Sequence, residues 1–189
     1  MLVENEISAQ LGVSKTPVRE ALRILAGSGL VVMSTYKGAS VRMVDAGSAR
    51  SVYDLRALLE PEAVRRAVES GTDFSEAREI LAEVGSGSAK ASMTNRLFHR
   101  ALYAGCGNPL LVEILDGLRD QAALITVTGW GINPTWRDEA AEHLAILAAA
   151  EAGQAEVAED LLRKHITNFI DRVAQDLPGA RTGDEEGAR

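Results

Sequence analysis

The sequence is poor in several features that define common protein classes. Its 189 residues include a single cysteine, Cys106, so no disulfide can form within it, which favours a reducing compartment. Aromatic residues make up only 4% of the chain. No secretory signal is visible, because Glu4 and Glu6 interrupt the start, and the apolar run 144–150 is too short to span a membrane. These absences favour a cytoplasmic protein without a membrane partner.

The charge is divided unevenly along the chain. The hydrophobic fraction of 46% is typical of a globular protein, and the length suits two modest domains. The net charge is −7, yet residues 1–50 carry six Lys or Arg and four Asp or Glu, whereas the remainder carries 14 and 23. A basic N-terminal part on an acidic body favours a polyanionic partner for that part alone.

The start of the chain predicts a helix, a tight turn and a second helix. Ile7 and Leu11 are four residues apart, which suits a short helix packed on one side. Gly12 follows where a helix end favours a left-handed residue, and Val13 is the expected apolar plug of the turn. Ser14 is a good N-cap for the second helix. This order of parts is typical of a helix-turn-helix.

The second helix has one apolar and one basic face. Lys15, Arg19 and Arg23 are spaced i, i+4 and i+8, so their charges share a face. Cations and hydroxyls at the start of a capped helix suit contacts with phosphate and guanine. The opposite positions predict a buried stripe of Val18, Ala21, Leu22 and Leu25.

A β-hairpin is expected directly after this helix. The alternation changes to a strand-like period over 30–34 and 39–43, and Lys37 with Gly38 forms the tip between them. A basic hairpin tip next to a recognition helix is a wing. The alternative is an ordinary surface helix with solvated charges, but the cap, turn, stripe and wing together favour DNA binding.

The remainder predicts helices and no strands, which makes the fold class mainly α. Short connections between helices indicate an antiparallel all-α bundle. The helices are expected over 47–69 (bent near Pro61), 75–84, 92–104, 109–127, 135–152 and 155–177, with a flexible break at 85–90. The expected domains are a winged helix-turn-helix over 1–45, a helical domain over 46–177 and a disordered tail over 178–189.

The three histidines of the chain, His99, His143 and His165, fall on three different predicted helices. Each adjoins an apolar stripe. Imidazoles from separate helices that point into one core can converge on a metal ion. The alternative is three unrelated core or boundary histidines, and spacing alone favours that alternative.

Two groups of motifs resemble one family of bacterial regulators. SKTPVREAL, then GLV and KGASV, resemble the winged-helix head of GntR-type transcription regulators. The rest resembles the helical effector domain of the FadR-like branch, the FCD domain, so that the likeness covers about 4–177. It implies a double-stranded DNA operator, with Asn5 standing where a basic contact is common. The residues that we expect to contact DNA are Ser14, Lys15, Thr16, Arg19, Arg23, Lys37 and Gly38.

The resemblance also predicts a further helix before the helix-turn-helix pair. Only Met1, Leu2 and Val3 precede Glu4. We therefore expect the winged helix to be partial, its first helix absent, and its small core to be short of partners. On this expectation the chain binds DNA poorly or folds its N-terminal part only marginally.

The resemblance favours the metal interpretation of the histidines. NRLFH, AEHLAIL and the late His165 match places where metal-binding members keep an acidic residue and three histidines. Asn95 stands where the acidic residue is usual; an amide oxygen can ligate a divalent cation, but less tightly. The implied ligands are Asn95, His99, His143 and His165, with zinc expected first and nickel or manganese as alternatives.

Arg56, in DLRALLE, is the candidate for binding an effector. A cation facing a bundle cavity that holds a metal can receive a small carboxylate, and the family's usual effectors are organic acids. The alternative is an ion pair with Glu60 at i+4. Trp130 and Trp136, expected in a loop, either line this cavity or serve as packing anchors.

The favoured function is a dimeric, cytoplasmic transcription regulator that reads an inverted repeat and responds to a metabolite. One alternative is a metal-dependent enzyme. No Glu or Ser is evident in the sequence as a partner beside the histidines, and the basic N-terminal part counts against an enzyme. The other alternative is a metabolite-binding module whose N-terminal part no longer binds DNA.

Overall fold

The computed structural model describes residues 1–34, 38–83 and 88–180. Contacts divide the chain into two compact units, Met1–Met43 and Val44–Arg189, which are called the N-terminal and C-terminal units below. Lys37 at the expected wing tip, residues 85–87 of the expected break and residues 181–189 of the expected tail lie outside the described residues. Residues 88–90 of the expected break are helical.

The N-terminal unit is a helix-turn-helix followed by a hairpin. Helices α1 (Glu4–Leu11) and α2 (Lys15–Gly27) precede strands β1 (Val31–Ser34) and β2 (Gly38–Val41). The strands are antiparallel, with Val31 paired to Val41 and Ser34 to Gly38. The Leu2 N–H donates to the Ala39 carbonyl at 2.8 Å, so the first residues pair with the outer side of β2.

Of the three predictions for the turn between α1 and α2, those for the positions of Gly12 and Ser14 are confirmed. Gly12 ends α1 in the left-handed region, at φ 66°, and the Val13 N–H donates to the Ser8 carbonyl. Ser14 occupies the N-cap position of α2, but its side chain makes no capping hydrogen bond. Val13 is 45% exposed, so the expectation that it fills the turn is wrong.

The core of the N-terminal unit is small. It consists of Val18, Leu22, Val31 and Ala39, with Leu2, Ile7 and Ala26 packed against them. The predicted stripe of α2 is therefore narrower than expected, since Ala21 and Leu25 are exposed.

The C-terminal unit is built from six helices in its described part. The predicted fold class, a winged helix-turn-helix plus an all-α bundle, is confirmed. The helices are α3 (Ala46–Glu69), α4 (Ser75–Ala82), α5 (Ser88–Tyr103), α6 (Pro109–Ile132), α7 (Trp136–Glu151) and α8 (Ala155–Val173).

Two sets of hydrogen bonds fix the N-terminus of α3. Asp45 and Ser48 form a reciprocal capping box, in which the Ser48 N–H donates to Asp45 Oδ1 at 2.8 Å. The Ala46 N–H donates to the carbonyl of Pro178, which binds the residues after α8 to this helix. Pro61 lies inside α3 and is buried.

Helix α3 packs closely on α8 because small residues line the contact. Ala49 and Ala63 are fully buried, and Tyr53 stacks on Phe169 with ring centroids 5.0 Å apart. The Tyr53 hydroxyl lies 3.0 Å from Thr126 Oγ1 of α6. These contacts place polar groups of α3 in the middle of the bundle.

Helix α6 extends five residues beyond the predicted end at Val127. Gly129 and Gly131, beyond the predicted end, both lie within the helix. A Cβ at Gly129 would lie 2.7 Å from Val173 Cγ1, so this glycine allows α6 and α8 to approach. Trp130 is consequently helical and not in a loop.

No helix in the described residues combines the length and the apolar character that a membrane span needs.

Replacing Gly129 with alanine is expected to destabilise the protein by about 1–3 kcal/mol, because the β-branched Val173 cannot turn away from the new methyl group. The matched control is Gly117→Ala on the exposed side of the same helix, where a Cβ meets no described atom within 4 Å. The control should stabilise the helix by about 0.5–1 kcal/mol. Urea unfolding measures both variants, and equal effects would contradict the close-approach explanation.

Candidate functional site

Three helices bring the histidines of the chain together in the C-terminal unit. His99 lies on α5, His143 on α7 and His165 on α8, and all three side chains are buried. One ligand atom from each lies within 4.8 Å of the others. We call these residues the histidine triad.

The distances within the triad suit a tetrahedral ion. His143 Nε2 and His165 Nε2 are 3.2 Å apart. Two nitrogens that bind the same tetrahedral zinc ion are about 3.3 Å apart, given Zn–N bonds of about 2.0–2.1 Å. The ring centroid of His99 lies 5.3 Å from that of each of the other two.

Two carboxylates orient the triad from outside. The Glu60 carboxylate contacts His99 Nδ1, and Glu142 Oε2 lies 2.5 Å from His165 Nδ1. A carboxylate at Nδ1 holds the proton there and leaves the Nε2 lone pair for a metal. The prediction that no Glu stands beside the histidines is therefore wrong, because both carboxylates come from other helices.

Burial favours the neutral form of two triad members, His99 and His143. The pKa of His99 lies well below its usual value, because of burial and then the Arg119 charge. The pKa of His143 is lowered in the same way, by burial and then by His165 and His99. Neutral imidazoles at neutral pH are the form that binds metal ions.

Two buried atoms at the triad lack partners. Among the described residues, neither His99 Nε2 nor Asn95 Oδ1 has a hydrogen-bond partner. An unpaired buried acceptor is costly, and each of these atoms is a metal ligand by type. Three imidazoles and an amide oxygen therefore fit a divalent cation such as Zn²⁺.

The Arg56 side chain is buried and contacts Glu60, His99 and Tyr53. Its Nε donates to Glu60 Oε2 at 2.9 Å, its Nη2 lies 3.5 Å from His99 Nδ1, and its guanidinium carbon lies 4.6 Å from the centre of the Tyr53 ring. Burial alone would raise the pKa of Glu60, yet Arg56, His99 and Arg119 hold it well below its usual range. The ion pair offered by the i, i+4 spacing is thus present.

Arg119 on α6 is the cation that the sequence argument missed. Its side chain is buried, and its Nη2 donates to the Asn95 carbonyl at 3.0 Å. Within the described part of the chain, its Nε and Nη1 have no hydrogen-bond partner. Burial and then Arg56 lower the pKa of Arg119 to about 10, so it stays charged at neutral pH. A signal existed, because Arg119 interrupts the apolar stripe of α6 that contains Leu115 and Ala122.

The two tryptophans lie beside the triad. Trp130 of α6 and Trp136 of α7 line a cavity of about 30 Å³ to which Asn95 and His143 also contribute. The Trp130 indole N–H donates to the buried carboxylate of Glu139 at 2.9 Å. Trp130 is therefore a cavity wall held in a fixed orientation.

The predicted DNA contacts lie at the surface of the N-terminal unit. Ser14, Lys15 and Thr16 are exposed at the start of α2, and Gly38 has φ 74° at the start of β2. Lys37 lies outside the described residues.

Two of the arginines on α2 form exposed ion pairs. Arg19 Nε lies 2.7 Å from Glu4 Oε2, and Arg23 Nη1 lies 2.9 Å from Glu20 Oε1. Exposed pairs of this kind contribute little stability, so a phosphate can displace the carboxylate.

Two family models match the chain. The model described as "Bacterial regulatory proteins, gntR family" matches residues 1–41, and the FCD domain model matches residues 51–168. The chain belongs to the GntR family. As a GntR-family protein with an FCD domain, it is a transcriptional regulator and not an enzyme, and its N-terminal unit implies DNA binding.

The alignments with two curated relatives cover nearly the whole chain. A probable D-xylose utilization operon transcriptional repressor of Paenarthrobacter nicotinovorans is 33% identical over 93% of this chain and 80% of its own length. The Nta operon transcriptional regulator of Aminobacter aminovorans is 30% identical over 95% of this chain and 87% of its own. The solved structure of Escherichia coli McbR/YncC has a TM-score of 0.77 at 27% identity, and the match covers 93% of this chain and 87% of that one.

Replacing Glu142 with glutamine is expected to lower zinc affinity by about 10–100-fold, because His165 loses the carboxylate that orients it. Competition with a chromophoric chelator measures this affinity. Glu159→Gln is the matched control, since Glu159 lies on α8 and pairs with Arg163 away from the triad. An unchanged zinc affinity in Glu142→Gln would contradict the orienting role.

Proposed function

We propose that this GntR-family regulator is a homodimer that binds an inverted-repeat operator through α2 and releases or engages it when a small organic acid binds at the histidine triad. It acts in the cytoplasm, where its DNA lies. The observation that carries the proposal is a buried guanidinium, Arg119, whose Nε and Nη1 have no hydrogen-bond partner among the described residues, in the same core as three clustered imidazoles.

The DNA half of the proposal rests on α2. Lys15, Arg19 and Arg23 share one exposed face at its start, with the hydroxyls of Ser14 and Thr16 next to them. Helix N-termini also favour anions through their free N–H groups and their dipole. In the proposed complex, Arg19 exchanges Glu4 for a phosphate or a base edge. Lys37 and Gly38 are proposed to contact the adjacent groove as a wing.

A divalent metal, with zinc the first choice over nickel or manganese, is proposed at the triad. His99, His143 and His165 would hold it through their Nε2 atoms, with Asn95 Oδ1 as a weaker fourth ligand. When bound, such an ion supplies a Lewis acid for an anionic ligand. Three protein nitrogens leave one tetrahedral position, which an anionic ligand would take in place of Asn95.

The effector is proposed to be a carboxylate received by Arg119. Its Nε and Nη1 are the donors that an anion would satisfy, in a buried place where a charge-assisted hydrogen bond is strong. Arg56 contributes its charge but keeps its donors on Glu60 and near His99. The proposed division therefore gives Arg119 direct contact with the effector and Arg56 a supporting role.

Regulation then requires that the two states of the dimer bind the effector with different affinity. The triad joins α5, α7 and α8, so a ligand there can shift these helices relative to one another. In a two-fold dimer, such a shift alters the separation of two recognition helices, which the half-site spacing of the operator detects.

Arg19→Ala is expected to weaken binding to duplex DNA, selected from a random pool, by about tenfold or more, because a charged contact is lost. If that contact is with a phosphate, the slope of log affinity against log salt concentration should also fall by about one. Arg66→Ala, on an exposed part of α3, is the control and should leave both quantities unchanged. Fluorescence anisotropy across a salt series measures them. Equal behaviour of the two variants would remove α2 from the interface.

Arg119→Met is expected to retain zinc but to bind acetate, the smallest carboxylate probe, at least about 30-fold more weakly, since losing one partner of a buried charge pair costs about 2–5 kcal/mol. Arg100→Met is the matched control, because Arg100 forms an exposed ion pair with Asp116. Calorimetry on the zinc-loaded protein measures binding. Undiminished acetate binding by the Arg119 variant, or no zinc binding by the wild type, would refute the proposed site.

A further inference from the structure

A cavity adjoins the triad at His143. Asn95 and His143 line it together with the apolar side chains of Leu81, Ala91, Ala140, Trp130 and Trp136. Four helices, α4 to α7, contribute these residues. A ligand held at the triad would thus have the apolar wall as its next neighbour.

The wall offers few hydrogen bonds to a ligand. The Trp130 N–H already donates to Glu139, whose same oxygen accepts from the Thr135 hydroxyl at 2.6 Å. Among the described residues that line the cavity, the polar side-chain groups are those of Asn95, His143 and Thr94 and the two indole nitrogens. A hydroxyl or a second carboxylate of a ligand would lose water here without full replacement, which costs affinity.

The cavity is also small. Its volume is about 30 Å³, and a water molecule needs about 10–15 Å³ by the same measure, so the space suits roughly two waters. A group of one or two carbon atoms fills that space, whereas a longer chain requires the walls to move.

We propose that this cavity, lined by Leu81, Ala91, Ala140, Trp130 and Trp136, is a specificity subsite for a compact apolar group. The effector is then a short monocarboxylate with a methyl- or ethyl-sized aliphatic substituent, not a sugar acid or a dicarboxylate. This inference rests on the proposed carboxylate site at Arg119 and the triad. Asn95 lines the cavity, and its backbone carbonyl accepts from Arg119, which links the cavity to the proposed carboxylate site.

Calorimetry on the zinc-loaded full chain tests ligand choice. Propanoate and butanoate are the apolar probes, and 3-hydroxypropanoate and succinate are their polar counterparts. The apolar probes are expected to bind at least about tenfold more tightly, because the polar groups would be desolvated without partners. Equal or tighter binding of the polar probes overturns the subsite.

Filling the cavity tests its location. Ala140→Leu should weaken butanoate binding by about tenfold or more, while acetate, which has no group to place there, changes by less than about threefold. The matched control is Ala145→Leu on an exposed part of α7. If Ala140→Leu does not fold, Trp136→Ala serves instead and should raise the affinity for hexanoate relative to propanoate by widening the cavity.

The outcomes separate this inference from the proposed function. Acetate binding that depends on Arg119, with no effect of Ala140→Leu on butanoate, overturns the subsite and leaves the carboxylate site intact. Failure of the wild-type chain to bind zinc and acetate overturns both. A preference for the apolar probes that Ala140→Leu abolishes and Ala145→Leu preserves supports the subsite.

Discussion

The C-terminal unit depends on compensating ionisable groups inside a helical bundle. Glu60 lies between Arg56 and His99 and contacts both, with all three side chains buried. Removing any one of them would leave an uncompensated polar or charged group, which is costly in a low-dielectric interior. The pairing also fixes the ring of His99 so that its Nε2 faces the triad. The contacts of Glu60 with Arg56 and His99 therefore contribute both to the packing of the bundle and to the geometry of the candidate site.

Three buried polar atoms in the same core lack a hydrogen-bond partner among the described residues. Arg119 donates to the Asn95 carbonyl, but its Nε and Nη1 and the side-chain Oδ1 of Asn95 have no such partner. Such atoms favour binding of a cation and an anion together, because each ion satisfies one set and offsets the other's charge. The candidate site lies in the core of the C-terminal unit, whereas the basic face of α2 belongs to the N-terminal unit.

Much of the architecture could be predicted because local rules govern it. The αL glycine at Gly12, Ser14 at the N-cap position and the period of α2 predicted the helix-turn-helix. The resemblance of the motifs around the three histidines predicted the candidate metal site, whereas their spacing alone favoured unrelated histidines. The end of α6 could not be predicted in this way. Helix α6 continues past Val127 through Gly129, where the absence of a side chain allows a close approach to Val173 of α8. The orienting glutamates were missed for a similar reason, since both act across helices.

The sequence by itself determined the class of the protein: a basic helix-turn-helix with a hairpin, an acidic helical body, and one motif set that identifies the family. Those features are local, and their periodicity and composition are visible in any short window. Only the tertiary structure decided which side chains meet. Arg119, Glu60 and Glu142 come from different helices, and the crossing of those helices sets their distances to the triad. Side-chain packing in three dimensions, which no spacing along the chain encodes directly, therefore defines the candidate site.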